Sequence, residues 1–244
     1  MIWIVSFFNA DPRAEMSSKY QMDMCRGPLF GQIVIFSVPL MLSGILQLLF
    51  NAADLVVVGR FAPHEALAAV GSTASLTGLI VNVFMGLSVG TNVLVANYYG
   101  AKDRKLVSRT VHTAILMAAV GGTVLAFLGI LLARPMLSLM GTPDNVLSKA
   151  CVYMWIYFAG MPLIMLYNFG SAVMRAVGDT RRPLFFLLFA GIVNVVLNLF
   201  FVLVFHMDVA GVALATVISQ GIAAYLVIRC LMNARDACRL KYRG

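Results

Sequence analysis

Ten acidic residues occur in the 244-residue chain, and nine of them lie in tails, in loops or at the ends of apolar runs. Asp54 is the exception, because a long apolar run precedes it and another, residues 55–59, follows it. An ionised Asp inside a bilayer costs at least ~3 kcal/mol. Such a carboxyl must meet water, find a partner or carry a proton. The chemistry open to it is the reversible binding of a cation or a proton. The competing reading is structural: an ion pair with Arg60, or a position close enough to the surface to stay hydrated.

Spacing favours the first reading. Ser43, Gln47, Asn51 and Asp54 are 4, 4 and 3 residues apart, which puts them on one face of a helix. A polar stripe on an otherwise apolar helix faces protein or water rather than lipid. Pro39, earlier in the same run, removes a backbone hydrogen bond and makes a place to bend. Asn194 and Asn198 repeat the one-face spacing, and Thr216, Ser219 and Gln220 lie in the last apolar run. Amide and hydroxyl oxygens are hard ligands suited to small cations. Asp54 with Asn194 and Asn198 could hold Na⁺, and the same surroundings could instead keep Asp54 protonated. The Asn pair alone would more often be interhelical glue.

The elements that carry these residues follow from composition. Hydrophobic residues make up 61% of the chain and charged residues 11%, against about 25% charged in a soluble domain. So few charges cannot cover a soluble surface. Six stretches carry no charge: 27–53, 66–101, 110–133, 150–174, 183–207 and 209–228. Each reaches the ~20 residues that a helix needs to cross the hydrocarbon layer. The alternating ~10-residue pattern of a transmembrane barrel is absent. The expected fold is all-α: a polytopic membrane protein with a six-transmembrane-helix bundle. An even number of spans puts both termini on one side, and that side collects fifteen of the eighteen Lys and Arg residues. The positive-inside rule makes it the cytoplasmic side of the plasma (inner) membrane. The net charge of +8 is then a matter of topology, and nucleic acid is not an expected partner.

Other features are quieter. Cys25, Cys151, Cys230 and Cys238 show no metal-binding spacing and read as reduced thiols. Residues 1–8 are apolar but too short to span, and they lack a basic n-region. They read as an interfacial anchor, or as sequence upstream of a native start at Met16, Met22 or Met24. Gly141-Thr142-Pro143-Asp144 reads as a helix stop, an N-cap, a Pro at the first helical position and an acid in the first turn. Gly178-Asp179-Thr180 before Pro183 does the same job, and Gly100 to Asp103 closes the second span. Gly86 and Gly90 form GxxxG, and Gly121, Gly122 and Gly129 thin the third span, all suited to close helix packing. Residues 86–90 (GLSVG) also match a nucleophile elbow. That motif works at a strand-to-helix turn, so an intramembrane serine protease using Ser88 with His112 or His206 is a remote alternative.

Taken together, these residues resemble the N-terminal half of a multidrug and toxic compound extrusion (MATE) transporter. The matching stretches are 39–59 (PLMLSGILQLLFNAADLVVVG), 66–71 (ALAAVG), 100–103 (GAKD), 166–170 (LYNFG), 175–183 (RAVGDTRRP), Asn194 to Asn198, and 211–216 (GVALAT). They run in family order from about residue 27 to 230.

The resemblance implies one lobe of a twelve-helix transporter that exchanges Na⁺ or H⁺ for organic, often cationic, compounds, without a bound cofactor and without enzymatic activity. It implies that Asp54 is the coupling residue, supported by Asn194, Asn198 and Thr216, and that the helix bends at Pro39. Gln47, Asn51 and Asn168 are further candidates to line the cavity. Asn198 departs from relatives that carry a second Asp there. The implied organisation is a cytoplasmic tail (1–26), a six-helix lobe (27–230) and the start of a linker (231–244). The implied partners are membrane lipid, a small organic substrate and a second six-helix lobe, either a missing C-terminal half or another chain. A lipid-linked-saccharide flippase lobe and a truncated, non-transporting remnant are the alternatives within this architecture.

Overall fold

A computed structural model describes residues 29–233. The tail expected at 1–26 lies outside the described residues, as do Cys25 and Cys238; of the linker expected at 231–244, residues 231–233 are instead the end of the last helix and the rest lies outside the described residues. Seven α-helices form in chain order: α1 (Leu29–Phe61), α2 (His64–Gly100), α3 (Arg104–Leu139), α4 (Asp144–Ala159), α5 (Met161–Ala176), α6 (Arg181–Leu203) and α7 (Val209–Asn233). Among the described residues there is no strand. Five helices are long and apolar enough to cross a membrane, and α4 with α5 makes a sixth span if the bent pair is counted as one. Large apolar side chains such as Phe30, Leu48, Leu79, Phe127 and Leu131 point outward. That is the expected arrangement where lipid is the solvent, since acyl chains are as apolar as the side chains that meet them.

The fourth predicted span differs from a simple helix. It is two helices meeting at a 48° bend. Pro162 lacks the N–H that would bond the Phe158 carbonyl, and its ring crowds the preceding turn. Gly160 sits at the junction. A Cβ there would run into the Val217 side chain on α7, so the close approach of α7 depends on glycine. On the other side, a Cβ at Gly122 would lie 2.6 Å from Pro162 Cα.

Turn chemistry also departs from the reading in two details. Gly141 and Gly178 take the positive φ expected of them, but at the α2–α3 turn Lys102, not Gly100, is left-handed. Asp103 then caps α3 by accepting from the N–H groups of Lys105 and Leu106. Pro143 rather than Thr142 occupies the N-cap of α4 and offers no side-chain cap. Before α6, Asp179 accepts from Arg182 N–H at 3.2 Å and pairs with the Arg182 guanidinium at 3.2 Å. Burial raises the Asp179 carboxyl above the ordinary carboxylate range, against the opposing pull of Arg182.

α5 is the axis of the bundle: eleven of its sixteen residues are buried. α3, α7 and α2 pack around it, α6 packs on α7, and α1 rests chiefly on α6. α1 is the least enclosed of the spanning helices. The turns gather at two ends. One end holds the α2–α3 and α5–α6 turns with most of the Lys and Arg residues. The other holds the α1–α2, α3–α4 and α6–α7 turns.

Candidate functional site

Asp54 lies seven residues before the end of α1, and Thr216 lies seven residues after the start of α7. At 1.5 Å per residue both sit about 10 Å inside the Lys/Arg-poor end of the bundle. The matched depth lets three helices contribute to one small space. α1 supplies Gln47, Phe50, Asn51 and Asp54; α6 supplies Gly191 and Asn194; α7 supplies Thr216, Ser219 and Gln220. Gly191 is what permits the closeness of α1 and α6, since a Cβ there would overlap the Phe50 ring. The cavity holds about 40 Å³. A water needs ~10–15 Å³ on this measure and a drug-sized ligand occupies ~300–1,000 Å³, so the space suits an ion with a water or two.

A chain of side-chain hydrogen bonds runs across the three helices. The Asn198 amide donates to Asp54 Oδ1 and, at 3.2 Å, to Asn194 Oδ1. Asn194 donates to the Thr216 hydroxyl at 3.4 Å, and Thr216 donates to the Val212 carbonyl at 3.0 Å. The Thr216 hydroxyl also faces the Asp54 carboxyl. Asn194 and Asn198 are buried. Two further oxygens, Asn198 Oδ1 and Gln220 Oε1, are buried with no donor among the described residues. A buried acceptor without a donor is costly. Of these two, Gln220 lines the cavity beside Asp54. Among the described residues no cluster of three His, Cys, Asp or Glu exists. One carboxylate with neutral oxygens is a set for a hard monovalent cation rather than a transition metal.

The structure thus brings together Asp54, Asn194, Asn198 and Thr216, with Gln47 and Asn51 on the cavity wall. It does not bring Ser43 there, whose hydroxyl donates to Pro39 O at 2.8 Å. Pro39 is buried, and α1 continues through it as a helix. Asn168 is buried in α5 and donates to Ile164 O of its own helix at 2.9 Å. It is not among the cavity residues. Among the described residues Asp54 and Arg60 form no ion pair; the acid is held by an amide instead. Ser88 lies inside α2 and bonds Met85 O at 2.8 Å, so the GLSVG stretch has none of the elbow geometry.

Two residues escaped the reading of the sequence. Gly191 looked like any packing glycine, although its i−3 spacing to Asn194 placed it on the polar face. Tyr153 on α4 is buried, stacks on Tyr157 with ring centroids 6.0 Å apart, and is close enough to feel the Asp54 charge. A tyrosine among 26 aromatic residues carries no signal of its own.

Comparison with known proteins adds a family and a scale. The family model MatE matches residues 39–200. The probable multidrug resistance protein YpnP of Bacillus subtilis is 32% identical over 201 residues, covering 82% of this chain and 45% of that protein. YoeA of the same organism, also a probable multidrug resistance protein, is 33% identical over 205 residues, with 82% and 44% covered. A FAD transporter of Shewanella oneidensis is 29% identical over 192 residues, with 76% and 42% covered. Among solved structures, a crystal structure of MATE in the bent conformation matches with a TM-score of 0.78 at 26% identity, over 82% of this chain and 44% of that one. An outward-facing multidrug resistance MATE transporter matches with the same TM-score of 0.78, over 88% and 47%. The chain spans a little under half the length of these relatives.

Proposed function

The chain belongs to the MatE family, and on that premise we propose that it is the N-terminal six-helix lobe of a multidrug antiporter whose cation-coupling site is the Asp54 cavity. The observation that carries this reading is a carboxylate held by the Asn198 amide in an ion-sized space between α1, α6 and α7. Asp54 supplies the charge, and Asn194, Asn198 and Thr216 supply neutral oxygens. The reading takes Na⁺ as the ion because the cavity sets several neutral side-chain oxygens beside one carboxylate, a set suited to a hard cation. Exchange of H⁺ is the second reading. It draws support from Asn198 itself, because without a second acid one proton is enough to neutralise the site.

Ion occupancy changes what Asp54 offers to Asn198, and therefore how α1 sits on α6. α1 is the least enclosed spanning helix and carries Pro39, so it is the element best placed to respond. An ion biases such an equilibrium only by binding its two states unequally. The Lys/Arg-rich end faces the cytoplasm, with both termini on that side of the plasma membrane. The substrate is a small organic cation, bound in a larger cleft completed by a second six-helix lobe.

Efflux of a cationic dye from energised cells tests the proposal in the protein that contains this lobe. Asp54→Asn should reduce ion-driven efflux at least tenfold while membrane insertion is unchanged. Coupled efflux at wild-type rate in that variant rejects the site. Export of FAD in preference to the dye rejects the substrate class.

A further inference from the structure

The Lys/Arg-poor end carries a second polar cluster that the cavity does not use. Lys149 Nζ, in the early part of α4, lies 3.0 Å from Glu65 Oε2 and 3.7 Å from Asp208 Oδ2. Glu65 is in the first turn of α2, four residues past the end of α1. Asp208 immediately precedes α7 and stands five residues past the end of α6. One ammonium thus joins the two turns that terminate or begin the three helices bearing Asp54, Asn194, Asn198 and Thr216. His64 and His206 are close to the acids in sequence, and Arg60 is in the last turn of α1; among the described residues none of these three forms an ion pair. At the α6–α7 turn His206 adopts φ 51°, so the backbone that presents Asp208 is held in a sparsely populated conformation.

We propose that Lys149 is a positioning residue whose bridge between Glu65 and Asp208 sets the spacing of α1 against α6 and α7 and thereby shapes the Asp54 cavity about 10 Å beneath. Each pair is half-exposed and contributes little stability alone. The geometric effect is larger, because without the lysine two carboxylates from different turns face each other across a short gap. Their repulsion separates the turns, and a small displacement at the helix ends is carried by the rigid helices to the cavity. The functional consequence rests on the Asp54 reading; the mechanical one does not.

The test compares wild type, Lys149→Met, Lys149→Arg and Lys149→Met/Asp208→Asn in the intact protein. Backbone hydrogen exchange is measured at residues 61–66 and 204–210, together with the Na⁺ and H⁺ dependence of dye efflux. Lys149→Met should speed exchange at both turns about tenfold and raise the half-saturating cation concentration several-fold, with maximal efflux near wild type. Lys149→Arg should restore both readouts. The double variant, which removes one repelling charge, should recover part of each. A merely structural contact would lower the melting temperature without moving the half-saturating concentration, and a double variant worse than Lys149→Met would identify lost packing as the cause. Either result, or unchanged exchange at both turns, overturns the proposal. If wild-type efflux shows no cation dependence, it is the coupling role of Asp54 that fails, and the exchange data still decide whether Lys149 ties the turns.

Discussion

At the level of single residues, Asp54 stands out because among the described residues it has no cationic partner and yet is held. Its partner is an amide on another helix, and an amide can release a carboxylate to an arriving ion without stranding a charge of its own, as a buried arginine would. The same logic ranks the neighbours. Thr216→Val removes one oxygen and the end of the amide chain, so the half-saturating cation concentration should rise several-fold with maximal efflux little changed, as read from dye efflux across a cation series. Gln220→Leu should act in the same direction if its donor-less Oε1 faces the ion. An unchanged cation dependence in both variants would restrict the site to Asp54 and the Asn pair.

Helices, more than residues, decide whether those side chains meet. α1 reaches α6 only because Gly191 leaves room for the Phe50 ring. Gly191→Leu should therefore displace α1 and lower lobe stability by about 1–3 kcal/mol as an overpacked contact does, measured by thermal unfolding in detergent. At the opposite end, the buried Asp179–Arg182 pair fixes the α5–α6 turn, and Arg182 Nη1 also reaches Cys230 Sγ on α7 at 3.6 Å. Removing one partner of a buried pair costs about 3–5 kcal/mol, so Arg182→Met should unfold well before wild type. Burial already raises the Asp179 carboxyl, so the folded lobe takes up this proton at higher pH than the unfolded chain does. The group therefore disfavours folding at neutrality, and the penalty fades as pH falls toward the ordinary carboxylate range. Arg182→Met, lacking the counter-charge, should regain stability on acidification more than wild type. Much of this was readable in the sequence. Charge-free runs located the spans, and two one-face spacings, one ending at Asp54 and one of Asn194 with Asn198, marked side chains that the fold brings together. What could not be read were facts of helix pairing. The bend at Gly160 splits a run that is uniformly apolar, Ser43 turns back onto Pro39, and Asn168 satisfies itself on α5. Periodicity fixes which residues share a face, but which face meets which helix depends on small residues scattered far apart in the chain.

The whole molecule is a lobe with an ion-sized cavity and no drug-sized one around Asp54, and it spans a little under half the length of its relatives. On the proposed reading, a dye would be held with the help of a second six-helix lobe. Expressed alone, these 244 residues should insert into the membrane without exporting dye, and efflux should appear when such a lobe is supplied on the same or a separate chain. Efflux by the single lobe would show that six helices suffice. Equilibrium binding of the ion is more decisive still. Purified wild type and Asp54→Asn should be titrated with Na⁺ at fixed pH, and with acid in the absence of Na⁺, following thermal stability. Wild type should show a saturable stabilisation by at least one of the two cations that disappears in Asp54→Asn. Superimposable titrations of the two proteins with both cations would mean that the carboxylate between α1, α6 and α7 binds no coupling ion.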